Sequence, residues 1–391
     1  MNSFYIQQLR PQISINNFFY ISGLIISLFL LLKYETCWVL PDIISDVLKY
    51  GSCLLLGIHL TITLPKYGKK LPLVLMLIAI TLFVGLNTDR IHMMFVTAAL
   101  VFGAKGLNFD NIVKWYFWIG LFFCVTTIIG NQIGLIKDHD VYINALSSRL
   151  SFALSGKRLS FGYVWSTDFA THCFFILLAY WYIRKAELTL KEMLLFVFLA
   201  IAILFYTDAK LGAGCILLLP IMTLFYRLTR NTQPKIYAVL IYSILLFSIL
   251  AIICTMMYQY SNFTWFFIDS VILAGRLRLG NEAIAMYGTP LWGQKIQMYG
   301  GETEGVYYNY IDSSFIQLIV IYGIIYTMLI ILAYTIITYK AYQRKDYVLI
   351  LVILMTGISG LIAQHFLQIC MNPFLIAFMA KHSNAVNLMK K

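Results

Sequence analysis

The chain has 391 residues, of which 61% are hydrophobic and 12% charged, and its mean hydropathy is +0.80. Soluble domains are about 45–50% apolar and about 25% charged, so an ordinary cytosolic enzyme, a disordered chain and a secreted disulfide scaffold are excluded. Lys and Arg outnumber Asp and Glu by 29 to 17, a net charge of +12, which raises nucleic acid as a partner until the charges are placed along the chain.

The apolar residues come in long blocks rather than stripes. A spanning helix needs ~20 mainly apolar residues. On that basis the sequence predicts spans at about 17–32, 44–64, 71–87, 91–104, 115–135, 164–183, 193–207, 210–226, 236–257, 314–338, 347–363 and 366–380. The expected fold is therefore all-α, one polytopic membrane domain over 1–391 with about twelve helices, although 347–380 barely holds two. Only Arg10 precedes the first span, and no small-residue cleavage site follows it, so it reads as an anchor rather than a removed signal peptide. The seven cysteines include no C-x-x-C and lack metal-ligand spacing, so they read as small core- or lipid-facing residues and no metal site is expected.

Charge placement decides the meaning of the basic excess. Eighteen Lys and Arg fall on one side of this map and ten on the other, seven of those ten in two long connectors, with Lys49 inside a span. That is a positive-inside pattern with both termini cytoplasmic. Only Asp110, Glu187, Glu192 and Asp346 of the acidic residues share the basic side. The excess is a topology signal, and no nucleic-acid partner is expected.

The long connectors, 136–163 and 258–313, exceed the ~12–15 residues beyond which loops are usually functional or disordered. Their composition is not that of disorder. The second holds Trp265, Phe266, Phe267, Trp292 and the apolar stretch 268-IDSVILA-274, which suits short interfacial helices at the headgroup level.

An outer-face site has no ATP or nucleotide sugar, and the chain carries no Walker loop or Gly-rich phosphate cradle. An enzyme there takes its activated substrate from the membrane, commonly as a lipid-linked diphosphate, whose leaving group calls for cations. Arg suits it because its planar fork binds phosphate bidentately. Arg158 opens 158-RLSFGYVWSTDFATH-172, while Arg276 and Arg278 lie in 275-GRLRLGNEAIAMYGTPLWG-293. Lys210 follows Asp208 in the turn 207-TDAK-210, and Arg90 follows Asp89 in another. The alternative for each is a snorkelling charge at a membrane edge, the preferred reading for Arg90, Lys295 and Lys210 but not for Arg158 and Arg276, which lie in the long connectors.

Proton transfer has three candidates. Asp168 and His172 are four residues apart and share a helix face. An ionisable group inside a span costs about 2.5–3.5 kcal/mol on insertion scales and is functional by default; the alternative is a self-satisfied structural pair. Asp312, in 310-YIDSSFIQL-318, enters the tenth span as a base or as a helix N-cap. His365 lies between Gln364 and Gln368 at the end of the eleventh span. The tripeptide 138-DHD-140 has the look of a metal-binding pair but reads as a solvated loop.

These motifs together resemble bacterial polysaccharide polymerases of the Wzy type. The resemblance rests on Arg276, Trp292-Gly293 and 310-YIDSS-314 followed by 318-LIVIYGII-325. It extends to 158-RLSFGY-163 with 167-TDFATH-172, 207-TDAKLGAG-214 and 370-CMNPFLIAF-378. It covers most of the chain as a pattern of helices and loops. It implies a GT-C type membrane glycosyltransferase, similar to O-antigen ligases, that joins undecaprenyl-diphosphate-linked repeat units at the outer face of the bacterial cytoplasmic membrane. It further implies loop arginines on the diphosphates, and a flippase and a chain-length regulator as partners beside the lipid bilayer. The ligases' His-Asn pair is replaced here by Asp312 and Ser313.

The expectation is a repeat-unit polymerase for capsule, exopolysaccharide or O-antigen, needing no soluble cofactor because the lipid diphosphate is the leaving group. Arg158 and Arg276, helped by Arg278 or Lys210, would neutralise it. Asp312 is the first choice of base, Asp168 with His172 the second. A lipid-linked oligosaccharide flippase, an O-antigen ligase and a membrane O-acyltransferase are the rivals.

Overall fold

The computed structural model describes residues 11–12, 14, 17–137, 141–142, 157–260, 262–273, 275–300 and 309–382. The architecture is all-helical apart from one minimal ladder. Helices α1 (Phe18–Tyr34), α2 (Asp42–Thr63), α3 (Leu71–Asn87), α4 (Ile91–Gly103) and α5 (Phe109–Gln132) come first. Strands β1 (Val141–Tyr142) and β2 (Lys157–Arg158) then pair antiparallel, Val141 opposite Arg158. Next come α6 (Ser166–Ile183), α7 (Leu190–Thr207), α8 (Lys210–Thr229), α9 (Pro234–Leu240) and α10 (Ser243–Met256). The second long connector contains α11 (Phe263–Phe267), continued by a π turn over Ile268–Ile272, and α12 (Arg276–Tyr287). The chain closes with α13 (Ser314–Gln317), a π turn over Leu318–Tyr322, α14 (Ile324–Gln343), α15 (Tyr347–Ile362) and a 3-10 helix over Pro373–Phe378.

Local chemistry sets the ends. Asn108 caps α5 by accepting from the Asn111 N–H, Thr189 and Glu192 form a capping box on α7, and Asp346 caps α15 through the Leu349 N–H. Helix α1 packs on α2, α5 on α6, α7 on α8 and α10 on α15.

The outside of the bundle is greasy. On α7, Leu194, Phe198, Ile201 and Phe205 form an exposed stripe, and on α10 Leu246, Ile249, Leu250 and Ile253 do the same. Long apolar stripes exposed on more than one helix are untenable in water and natural in lipid. Among the described residues, five helical stretches are long and apolar enough to cross a membrane, six if α9 and α10, bent by 46°, count as one. One is the 46-residue stretch Asp42–Asn87, which a 3-10 turn over Leu64–Lys70 breaks at Gly68, φ 53°. Helices α1, α4 and α15 are apolar but shorter. The chain is membrane-embedded.

Two expected spans take a different form. The span over 314–338 is broken at Gly323, whose φ is 88° and where an added Cβ would lie 2.4 Å from the Gly293 amide nitrogen. The connector docks into this break: Ile324 N–H donates to Pro290 O (2.9 Å) and Gln294 N–H to Ile321 O (2.9 Å). The stretch 366–380 is not a spanning helix. It runs as buried turns and the short 3-10 helix, with Pro373 forcing Asn372 out of helical geometry (φ −117°, ψ 92°). Irregular backbone is tolerated at membrane depth only when protein encloses it. Here Tyr116 Oη donates to Met371 O, and Asn372 Nδ2 to Phe366 O and Tyr334 Oη.

The charges separate to opposite ends of the bundle. Lys105 reaches Lys66 O, strand-like bridges join Lys105 to Ala380 and Asn108 to Lys381, Lys185 pairs with Asp110, and Arg230 pairs with Glu187. Asp168, Arg158 and Arg276 gather at the other end.

Candidate functional site

The site grows out of four chain segments. Beyond α1 the backbone pairs with the segment before α6: Val164 N–H donates to Glu35 O (3.0 Å), Cys37 N–H donates to Gly162 O (2.8 Å), and Thr36 bridges to Tyr163. This puts Glu35 beside Asp168 in the first turn of α6. After α15 the chain turns extended at Ala363. Ser314 Oγ donates to Ala363 O while accepting from the Phe366 N–H, so α13 grips the 363–366 turn and aims His365 inward. His365 Nε2 lies 3.1 Å from Asp168 Oδ1, and His365 Nδ1 lies 2.5 Å from Gln368 Oε1. One donor atom each from Glu35, Asp168 and His365 falls within 4.8 Å of the other two. Asp168 and His365 are buried, whereas Glu35 is half-buried.

The arginines are positioned by backbone carbonyls. Arg276 starts α12, after Gly275 at φ 84°, and Asp269 caps that helix by accepting from Leu277 and Arg278 N–H. Arg276 Nε donates to Ile362 O (2.6 Å) and Nη1 to Leu273 O (2.9 Å). The second connector is thereby tied to the end of α15, next to His365. Arg158 donates through Nε to Thr207 O (3.3 Å) and through Nη2 to Asp208 O (3.1 Å), with the Asp208 carboxylate 3.9 Å away. Burial lowers the Arg158 pKa, Asp208 opposes this, and the charge of Arg276 adds to the lowering, so the two guanidinium groups lie within electrostatic reach of each other.

Asp312 sits among them. Burial raises its carboxyl above the ordinary carboxylate range; Arg276 pulls it down, Asp168 pushes it up, and His365 pulls it down. The N-cap of α13 is Ser313 and not Asp312. Among the described residues Asp312 has no hydrogen-bond or ion-pair partner, which leaves its carboxylate available. Burial, with the Asp168 charge adding, raises Glu35 to about 7. For His365, burial works downward, but the hydrogen bond and charge of Asp168 raise it to about 9.

No family model, curated protein or solved structure matches the chain.

The structure brings Asp312, Asp168, Arg158 and Arg276 together, from positions 158 to 312. Arg278 turns away, pairing with Glu282 at 3.3 Å on the surface of α12, because residues two apart on a helix face different directions. Lys210 heads α8 at the same turn that holds Arg158, two residues after Asp208, which is in the left-handed conformation (φ 52°). The expected Asp168–His172 pair does not form. His172 Nδ1 lies 2.6 Å from Tyr163 Oη instead, fully buried against Gly120. Arg90 donates to Tyr322 Oη (2.9 Å) and lines a narrow polar recess with Ser314, Gln317, Gln364 and Gln368. The tripeptide 138–140 lies outside the described residues.

Sequence reasoning missed Glu35, which follows Lys33 at the end of an apolar run and looks like any polar flank. It places Gln368 beside His365 without giving it a role, whereas its side chain bonds both His365 and Glu35. The set unites cations for an anion, a carboxylate with no hydrogen-bond or ion-pair partner among the described residues, and an acid–imidazole cluster of buried Asp168 and His365 with half-buried Glu35. That combination suits transfer chemistry on a phosphate-bearing substrate.

Proposed function

We propose that the protein is a repeat-unit polymerase that joins undecaprenyl-diphosphate-linked oligosaccharides at the outer face of a bacterial cytoplasmic membrane. In this reading the chain crosses the bilayer in about eleven helical passes, the last followed by the irregular return over 363–380, with both termini cytoplasmic. The connectors 136–163 and 258–313 face outward, and α11, with Phe263, Phe266 and Phe267 exposed, lies in the headgroup layer. The observation that carries the reading is the convergence of Arg158, Arg276 and Asp312 at the end of the bundle opposite the basic turns.

Arg158 and Arg276, with Lys210 nearby, would stabilise the diphosphate as negative charge develops on it. Asp312 would take the proton from the acceptor hydroxyl as that oxygen bonds the anomeric carbon of the donor sugar. The bond from that carbon to the diphosphate oxygen breaks, and its electron pair leaves with undecaprenyl diphosphate. A raised pKa makes Asp312 a stronger base than an ordinary carboxylate.

Deleting the gene and resolving the cell's polysaccharide on a gel tests this reading. It expects loss of the ladder with single repeat units accumulating on the outer face. Repeat units trapped on the inner face would identify a flippase instead.

A further inference from the structure

The geometry points to a divalent transition-metal site formed by Glu35, Asp168 and His365. The inference rests on the geometry of these side chains and not on the polymerase reading. The three ligands come from the end of α1, the first turn of α6 and the segment after α15, so an ion there would tie three distant parts of the chain together.

Spacing is the first argument. Ligand atoms held at about 2.0–2.2 Å from one ion lie ~3 Å apart when adjacent and ~4.4 Å apart when opposite. His365 Nε2 and Asp168 Oδ1 are 3.1 Å apart, and all three donor atoms fall within 4.8 Å.

The second argument concerns the imidazole. A metal-bound His characteristically anchors its other ring nitrogen on a hydrogen-bond acceptor, which fixes the tautomer and the ring plane. Gln368 does this, accepting from His365 Nδ1 and also bonding Glu35. With the Nδ1 proton committed to Gln368, Nε2 faces the carboxylate of Asp168. Two acceptors at 3.1 Å require something between them, either a proton shared by the ring and the carboxylate or a metal cation.

Charge favours the cation. Two carboxylates in a low-dielectric cluster repel each other strongly, and one imidazolium offsets only one of them. A divalent ion offsets both and leaves His365 neutral, the form that ligates. Asp168 and His365 have side-chain exposures of 4% and 3%, Glu35 is half-buried, and a set of three protein ligands leaves further coordination positions for water or a substrate oxygen. Two carboxylate oxygens and one imidazole nitrogen suit Mn²⁺ or Zn²⁺ better than Ca²⁺.

The test uses full-length protein in detergent, stripped with EDTA and desalted, with no substrate present. Mn²⁺ is titrated by isothermal calorimetry and by loss of the free-ion electron paramagnetic resonance signal, and Zn²⁺ by calorimetry. The expectation is one saturable site per chain and a higher thermal midpoint with metal. Glu35→Gln, which keeps size and hydrogen bonding at a half-buried position, should weaken binding at least tenfold while the protein still elutes as a folded monodisperse peak. His365→Gln should do the same or more. Absence of saturable binding of both ions to the wild-type chain would overturn the proposal and leave a proton as the shared species. Wild-type affinity in Glu35→Gln would overturn it as well. Neither result bears on whether the chain polymerises repeat units.

Discussion

Gly323 is where the architecture around the site can be broken by one methyl group. Its φ of 88° and ψ of 163° lie where L residues rarely go, and forcing Ala there costs ~1–3 kcal/mol in backbone strain. The added Cβ would also sit 2.4 Å from Gly293 N, 2.7 Å from Leu291 O and 2.8 Å from Leu291 C. These are backbone atoms, which cannot rotate aside, so overpacking adds ~1–3 kcal/mol. Relieving the clash would pull the connector off the broken helix and cost the bonds from Ile324 N–H to Pro290 O and from Ile325 N–H to Leu291 O. Gly323→Ala should therefore destabilise by roughly 2–6 kcal/mol. Two other glycines calibrate the effect. Gly288 has φ 68° but nothing within 4 Å of an added Cβ, so Gly288→Ala should show strain alone, about 1–3 kcal/mol. Gly51 lies in α2 with open space around it, and Gly51→Ala should be neutral or gain ~0.5–1 kcal/mol. Thermal midpoints of detergent-solubilised protein, read by fluorescence size exclusion, should fall in the order Gly51→Ala, Gly288→Ala, Gly323→Ala. A Gly323→Ala midpoint equal to that of Gly51→Ala would refute the docking of the connector into the helix break.

Other expectations concern the site and the membrane. Asp312→Asn should leave expression and thermal midpoint near wild type, since Asp312 is not the cap of α13, while polymer synthesis falls about 10²–10⁴-fold, the usual worth of a general base; near-normal chain length on a gel would remove it as the base. In wild-type protein the acid limb of the rate–pH profile should lie above the ordinary carboxylate range, because deprotonated Asp312 is the active form and its pKa is raised; it should vanish in Asp312→Asn, and an unchanged limb would assign it elsewhere. Arg276→Ala should abolish long chains at normal protein level and Arg276→Lys should shorten them, because Lys keeps the charge and loses the fork; a full ladder from the Ala variant would make Arg276 purely structural. In a Cys-free background, a cysteine at exposed Tyr299 should label with an impermeant thiol reagent in intact cells and one at exposed Thr232 only after lysis; the reverse would invert the topology.

Much of the membrane character was legible because hydropathy is a local property of 15–25 residues. The separation of charge was legible for the same reason: turns such as 66–70 and 184–191 carry their basic residues in sequence. What failed is non-local. The break at Gly323 depends on Gly293 arriving from a connector 30 positions earlier, and an apolar run cannot reveal that. The stretch 366–380 is as apolar as a spanning helix, but Pro373 and the hydrogen bonds from Tyr116 and Asn372 make it a buried irregular strand of chain. In the site, the arginines were readable because cations are scarce at their end of the map. The pairing of Asp168 was not. A four-residue spacing suggested His172, while the partner actually in place, His365, lies 197 positions away. Glu35 carried no signal, since its placement depends on a backbone pairing with residues 162–164.

Reconstitution tests the central claim most directly. Purified protein in liposomes would be given undecaprenyl-diphosphate-linked repeat units as the sole carbohydrate substrate, and the products resolved by length. The account requires a ladder of two, three and more repeat units with undecaprenyl diphosphate released at each step, lost in Arg276→Ala and Asp312→Asn. Repeat units that are bound or moved across the bilayer but never joined would contradict it.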